Sequence, residues 1–117
     1  MHKKKLGNIG ESIAAKYLLE NGFVILKQNF YSRFGEIDII ARDTSNIIFI
    51  EVKTRKNFSC GNPSESVNYQ KQLKIKNAAL DFISQNNIVN TNFRFDVIEI
   101  ILTDSFKINH IVNAFEL

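Results

Sequence analysis

Residues 35–55 read GEIDIIARDTSNIIFIEVKTR. Two apolar stretches flank the short polar turn RDTSN, the pattern of a β-hairpin. Both stretches are apolar enough to be core strands, yet the first carries Glu36 and Asp38 and the second Glu51, Lys53 and Arg55. Charge in a strand of this kind must be partnered or it opposes folding, so any fold of this chain has to bring these groups company. Side chains alternate across a strand. Glu51, Lys53 and Arg55 therefore share a face with Phe49, while Ile50 and Val52 take the other. Glu36 and Asp38 share a face of the preceding strand. Pairing the strands through their turn sets Asp38 beside Glu51 and Lys53.

Two carboxylates held close together repel, which raises a pKa or recruits a cation. Oxygen donors of this kind suit Mg²⁺, which takes one or two carboxylates and keeps several waters. A metal so held activates water and stabilises charge on a phosphate under attack, and a lysine beside it can orient the water or offset phosphate charge. On spacing alone the same residues also read as a solvated cross-strand ion pair, worth about 0.2–1 kcal/mol.

The remaining elements are expected around this hairpin. NIGESIAAKYLLENGF, from Asn8, places Ile9, Ile13, Ala14, Tyr17 and Leu18 on one helical face, with Asn21-Gly22 as its stop. Strands are expected over 23–30, 35–43, 46–55, 93–102 and 106–115, and a second helix over 68–87 with Leu73, Leu80 and Ile83 near its apolar face and Ala79 beside them. The stretch 56–66, which holds the single proline, reads as a loop. The order α-β-β-β-α-β-β predicts an α/β fold, a mixed sheet with helices on its faces. At 117 residues, 1–117 is one domain.

Charge is uneven. Residues 1–76 hold 13 Lys and Arg against 7 Asp and Glu, whereas residues 77–117 hold 2 against 5. The basic part is the part with the charged strands, which hints at an anionic partner. The single cysteine, Cys60, has no disulfide partner and lacks the companions of a zinc site. No apolar run approaches the roughly 20 residues of a membrane span, and the start MHKKKLGNIGES lacks a secretory apolar region. A cytoplasmic protein with no membrane partner is the expectation.

Asp38, twelve intervening residues, then Glu51-Val52-Lys53 resembles the D…(D/E)-x-K signature of restriction-endonuclease-like nucleases. GNIGESIAAKYLLENGFVILKQNF, RFGEIDIIARD, IFIEVKTRK, NPSESVNYQK, FRFDVIEI and INHIVNAF are similar to successive blocks of the YraN family, small bacterial proteins of undetermined function assigned to that superfamily. The resemblance covers nearly the whole chain. It implies a restriction-endonuclease-like core and a Mg²⁺- or Mn²⁺-dependent endonuclease acting on DNA in repair, recombination or uptake, with a preference for nucleic-acid structure. A catalytically silent nucleic-acid-binding module serving a partner protein is the alternative. Carried over, Asp38 and Glu51 are metal ligands, the carbonyl of Val52 completes the coordination, and Lys53 is the catalytic lysine. Glu11 matches a first-helix glutamate of related junction resolvases, although Asn8 to Glu11 also has the spacing of a capping box.

Other residues carry two readings. Glu36 is a supporting group for the site or the partner of Arg33 or Arg42. Lys71 falls where helical lysines approach phosphate in related nucleases, or belongs with Lys74 and Lys76 to a solvated face. Asp96, an acid among apolar neighbours, is expected to be structural. His110, with no acid nearby in sequence, is expected to pack or hydrogen-bond. Arg33, Arg55, Lys56 and Lys3 to Lys5 are candidates for salt-sensitive phosphate contacts. No helix-turn-helix, zinc finger or aromatic RNA-binding motif is present to read bases, so shape or a protein partner selects the substrate. The small size leaves room for a homodimer.

Overall fold

The computed structural model describes residues 3–56 and 67–116, with side chains from Leu6 onward. The elements are α1 (Lys3–Glu20), β1 (Val24–Tyr31), β2 (Glu36–Arg42), β3 (Asn46–Arg55), α2 (Tyr69–Gln85), β4 (Asn92–Leu102) and β5 (Phe106–Phe115). The predicted order and the mixed sheet are borne out. The five strands lie in the order β1-β2-β3-β4-β5. Only β3 and β4 run parallel, joined by the crossover through α2, and the other neighbours are antiparallel. Apart from Lys56, the loop expected at 56–66, with Cys60, lies outside the described residues.

Each helix covers one face of the sheet. Ala14, Ala15 and Leu18 of α1 pack on Ile39, Ile48, Ile50, Ile98 and Ile100. Ile75, Ala78, Ala79 and Phe82 of α2 pack on Ile37, Ile40, Phe49, Phe95 and Val97. The central strands β3 and β4 are covered on both sides, which is why they read as nearly continuous apolar runs. Among the described residues no helix is long and apolar enough to cross a membrane.

Two helix expectations need correction. Helix α1 begins at Lys3, five residues before Asn8, so Asn8 is interior and no capping box forms there. Lys3, Lys4, Lys5 and Leu6 are good helix formers, and Gly7, which costs about 1 kcal/mol relative to alanine, does not end the helix. On α2, Leu73 and Leu80 are 40% and 50% exposed, while Ile75, Ala78, Ala79 and Phe82 are buried. Ile83 is half-buried and does pack against the core. Two stripes on this helix share the helical period, and the one with two alanines lies closest to the sheet.

The helix ends follow local rules. At the end of α1, Phe23 N–H donates to Leu18 C=O at 3.0 Å and Gly22 N–H to Leu19 C=O at 3.2 Å, with Gly22 at φ 85°. This is a Schellman stop on the predicted Asn21-Gly22. Asn68 caps α2, its side chain accepting from Lys71 N–H at 2.9 Å.

Gly10 sets how closely α1 approaches β3. A Cβ on Gly10 would collide with Thr54 Oγ1 and would also lie 3.0 Å from Thr54 Cβ and 3.2 Å from Cγ2. Rotating Thr54 swaps one close atom for another, so the helix itself must move. Gly10→Ala is therefore expected to destabilise the protein by about 1–3 kcal/mol, despite the ~1 kcal/mol gain in helix propensity. Thermal melting checks this. A variant as stable as wild type would mean that the contact relaxes freely.

Candidate functional site

The β2–β3 ladder runs from Arg42↔Ile47 to Ile39↔Ile50 and stops there. Beyond that point the strands part. Asp38 sits at the opening and its Oδ2 accepts from Val52 N–H at 2.8 Å, closing the gap with a side chain where a ladder bond would be. Alternation in β2 is broken at the same place. Ile37 and Ile40, three residues apart, both join the α2-side core, whereas strict alternation would send them to opposite faces. Asn29 of β1, which falls between the pairs Gln28↔Ile39 and Phe30↔Ile37, adopts φ 52°. The kink leaves Asp38 at the edge between the two faces of the sheet.

Groups approach this opening from both sides. On the α2 side, Lys53 Nζ and Lys71 Nζ each lie 3.6 Å from Glu51 Oε1, and the Glu51 side chain is 7% exposed. On the α1 side, Leu6, Gly7 and Glu11 join Asp38, Glu51, Val52 and Thr54 around a pocket of about 300 Å³. Glu11 reaches it because α1 runs through Asn8 and because Gly10 seats the helix on Thr54. Sequence reading found Asp38, Glu51, Lys53, Glu11 and Lys71, and the structure brings all five to this one place. It missed Gly7 and Thr54, whose only trace in the sequence was a pair of glycines on one helix.

The electrostatics are those of crowded acids. Burial pushes the Asp38 carboxyl up to about 7; the Glu51 charge and then Glu36 add to this, against the Val52 N–H and Lys71. Glu11 also rises to about 7, first through burial, then through Asp38 and Glu36. Glu36 thus acts on the site through its field, and among the described residues it forms no ion pair with Arg33 or Arg42. At neutral pH the acids compete for protons, a conflict that a divalent cation would relieve. The donors are all hard oxygens, Asp38, Glu51 and the Val52 carbonyl, and they fit Mg²⁺ or Mn²⁺. Among the described residues no three of the side chains His, Cys, Asp and Glu converge as a ready-made metal group. Such an ion would rest on two carboxylates and keep waters, as Mg²⁺ commonly does.

The phosphate-contact candidates divide. Arg33 and Lys56 are exposed, and the Arg33 guanidinium lies 4.8 Å from the centroid of the Phe34 ring. Arg55 is turned inward, its Nε 2.8 Å from Glu99 Oε2, with both side chains 10% exposed or less. Two charges on the α2 face thus hold each other in the core, unlike the exposed Arg33 and Lys56. The side chains of Lys3 to Lys5 lie outside the described residues.

Asp96 and His110 form a separate cluster. Asp96 is fully buried. It receives Arg94 Nε and Nη2 at 2.9 Å each, His110 Nε2 at 2.7 Å and Asn113 N–H at 3.0 Å. His110 Nδ1 lies 2.9 Å from the Tyr17 hydroxyl. Burial alone would raise the Asp96 carboxyl, but the bonds from His110, Arg94 and Asn113 outweigh it and hold it below the usual carboxylate range. The structural expectation for Asp96 fits this arrangement, and His110 does have an acidic partner, brought to it by β4–β5 pairing. A larger pocket of about 440 Å³, lined by Leu26, Lys27, Phe30, Phe82, Gln85, Asn86 and Ile88, contains no carboxylate, hydroxyl, thiol or imidazole and is no rival to the carboxylate site.

Comparison with known proteins matches the whole chain. The model of the uncharacterised protein family UPF0102 covers residues 10–100. The chain is 49% identical to a UPF0102 protein of Clostridioides difficile strain 630 over 98% of its length and 100% of the relative's. It is 46% identical to one of Clostridium acetobutylicum over 100% of both chains. It is 44% identical to one of Caldanaerobacter subterraneus subsp. tengcongensis over 98% of both.

Proposed function

This chain belongs to the uncharacterised family UPF0102, the YraN family, and from the geometry of its carboxylate site we propose that it is a metal-dependent nuclease that hydrolyses phosphodiester bonds, with DNA as substrate. One observation carries the reading: Asp38 and Glu51 meet where β2 and β3 part, with two lysine ammonium groups 3.6 Å from Glu51. A surface ion pair needs neither the kink in β2 nor the burial of Glu51.

Asp38, Glu51 and the Val52 carbonyl would hold Mg²⁺ or Mn²⁺, and the ion would polarise the phosphate and lower the pKa of a bound water. Lys53 and Lys71 add positive charge beside the phosphate, where charge develops during attack. Glu11, with its carboxyl near 7, is suited to hold or give up a proton at neutral pH. With no helix-turn-helix, zinc finger or aromatic RNA-binding motif among the described residues, its contacts to the backbone would be salt-dependent and blind to sequence.

The test is incubation of the purified protein with linear, nicked, flapped, single-stranded and four-way-junction DNA, with Mg²⁺, Mn²⁺ or chelator. Cleavage that requires the metal and favours one of these structures is the expected result. Retained binding with no cleavage under any metal would overturn the nuclease reading in favour of a binding module that serves a partner.

A further inference from the structure

The end of the sheet that carries the carboxylates also carries exposed rings. β1 and β2 are joined by a tight turn over residues 32–35. Ser32 N–H donates to Gly35 C=O at 2.9 Å, and Phe34 N–H donates to Ser32 Oγ at 3.0 Å. The turn is seated on α2: a Cβ on Gly35 would stand 3.2 Å from Lys74 Cβ, and Lys74 is one helical turn from Lys71. Tyr31 is the Cα partner of Glu36, so the two side chains share a face, and the field of Glu36 reaches both Glu11 and Asp38. Tyr31 is nonetheless 70% exposed and Phe34 40% exposed, with the Arg33 guanidinium over the Phe34 ring.

A single exposed ring needs no explanation. Here two rings and a guanidinium lie within four residues, on a turn fixed to the helix that carries Lys71 into the site. Phosphates alone could be held by Lys71, Lys74 and Arg33. The rings add flat apolar faces, which a base-paired duplex cannot use because its own base faces are stacked away. An unpaired base offers such a face, and stacking on aromatic and guanidinium planes is how proteins hold it. Stacking also anchors the substrate without charge, which matters beside acids that repel phosphate.

We propose that the β1–β2 turn is a base-stacking platform, and that the nucleic acid taken by this site has unpaired nucleotides beside the scissile phosphate. The inference rests on the reading above that the site takes nucleic acid, and it narrows the substrate to single strands and the unpaired arms of flaps or splayed ends.

Binding is measured by fluorescence anisotropy, in chelator, with a labelled oligothymidylate and a duplex of the same length. The single strand is expected to bind more tightly than the duplex. Tyr31→Ala and Phe34→Ala are each expected to weaken single-strand binding about five-fold or more and to leave duplex binding unchanged, while Tyr31→Phe restores it. Tyr69→Ala removes a ring that is 69% exposed but lies on the side of α2 away from Lys71, and it is expected to change nothing. Melting curves confirm that each variant is folded. Equal affinity for duplex and single strand, or full single-strand affinity in both alanine variants, overturns the proposal. The assay contains no metal and reads no cleavage. A protein that binds as predicted but never cuts would therefore overturn the nuclease reading while leaving the platform standing.

Discussion

Asp38→Asn is expected to melt at a higher temperature than wild type at pH 8 and to lose most of that advantage at pH 5. The folded protein holds the Asp38 carboxyl near 7, against 3.8 ordinarily. Between those values the folded state keeps a proton that the unfolded chain has released. Stability contributed by this group therefore falls as pH rises through that window and stays low above it. Asparagine removes the charge and its repulsion with Glu51, yet its carbonyl oxygen can still accept from Val52 N–H. With Glu51 and Lys71 free to readjust, a gain of about 1–2 kcal/mol at pH 8, several degrees in Tm, is the expected size. A variant that melts earlier than wild type at pH 8 would mean that Asp38 serves the fold and not the site. Saturating Mg²⁺ or Mn²⁺ should close the gap, because an ion bound only to the folded wild type stabilises it.

Asp96→Ala has the opposite sign and the larger size. Asp96 is the shared acceptor of Arg94, His110 and the Asn113 N–H, in a fully buried position. Its removal leaves a guanidinium that is 16% exposed and an imidazole that is 10% exposed without their acid, although Arg94 retains Asp43 at 3.8 Å. Breaking a buried pair in this way costs about 3–5 kcal/mol, a large part of the stability of a small domain. The pH dependence follows from the lowered carboxyl. The stabilisation is present at and above the ordinary carboxylate range and is lost as pH falls below it towards the folded-state value. Wild type should thus lose stability in acid, and the variant should lose less. Denaturant unfolding at pH 7 and at acid pH measures both effects. A variant within 1 kcal/mol of wild type at pH 7 would contradict the account.

How much of this was legible depended on whether the information was local. Counting outward from RDTSN placed Asp38 opposite Glu51, because a short hairpin fixes its own register. The same count from the β4–β5 turn pairs Ile98 with His110, but Asp96 reaches that histidine across a register shift between Phe95 and Val97 that no residue type announces. The early start of α1 was hidden because Lys3 to Lys5 carry no apolar period and because Asn8 to Glu11 imitates a capping box. The inner face of α2 was misread because Leu73 and Leu80 outrank alanine in hydrophobicity, whereas close packing on a sheet favours the smaller Ala78 and Ala79. The approach of Glu11 to Asp38 joins two elements through tertiary packing, which the spacing of neither element contains.

The proposed nuclease function requires that the charges of the β2–β3 hairpin hold a metal and a water against a phosphate. Single-turnover cleavage of the DNA structure the protein prefers, by wild type and by Asp38→Asn side by side in Mg²⁺ or Mn²⁺, tests it most directly. The expected result is metal-dependent cleavage by wild type and a loss of about a hundred-fold or more in the variant, in a protein that is at least as stable. Equal cleavage by the two proteins would contradict it.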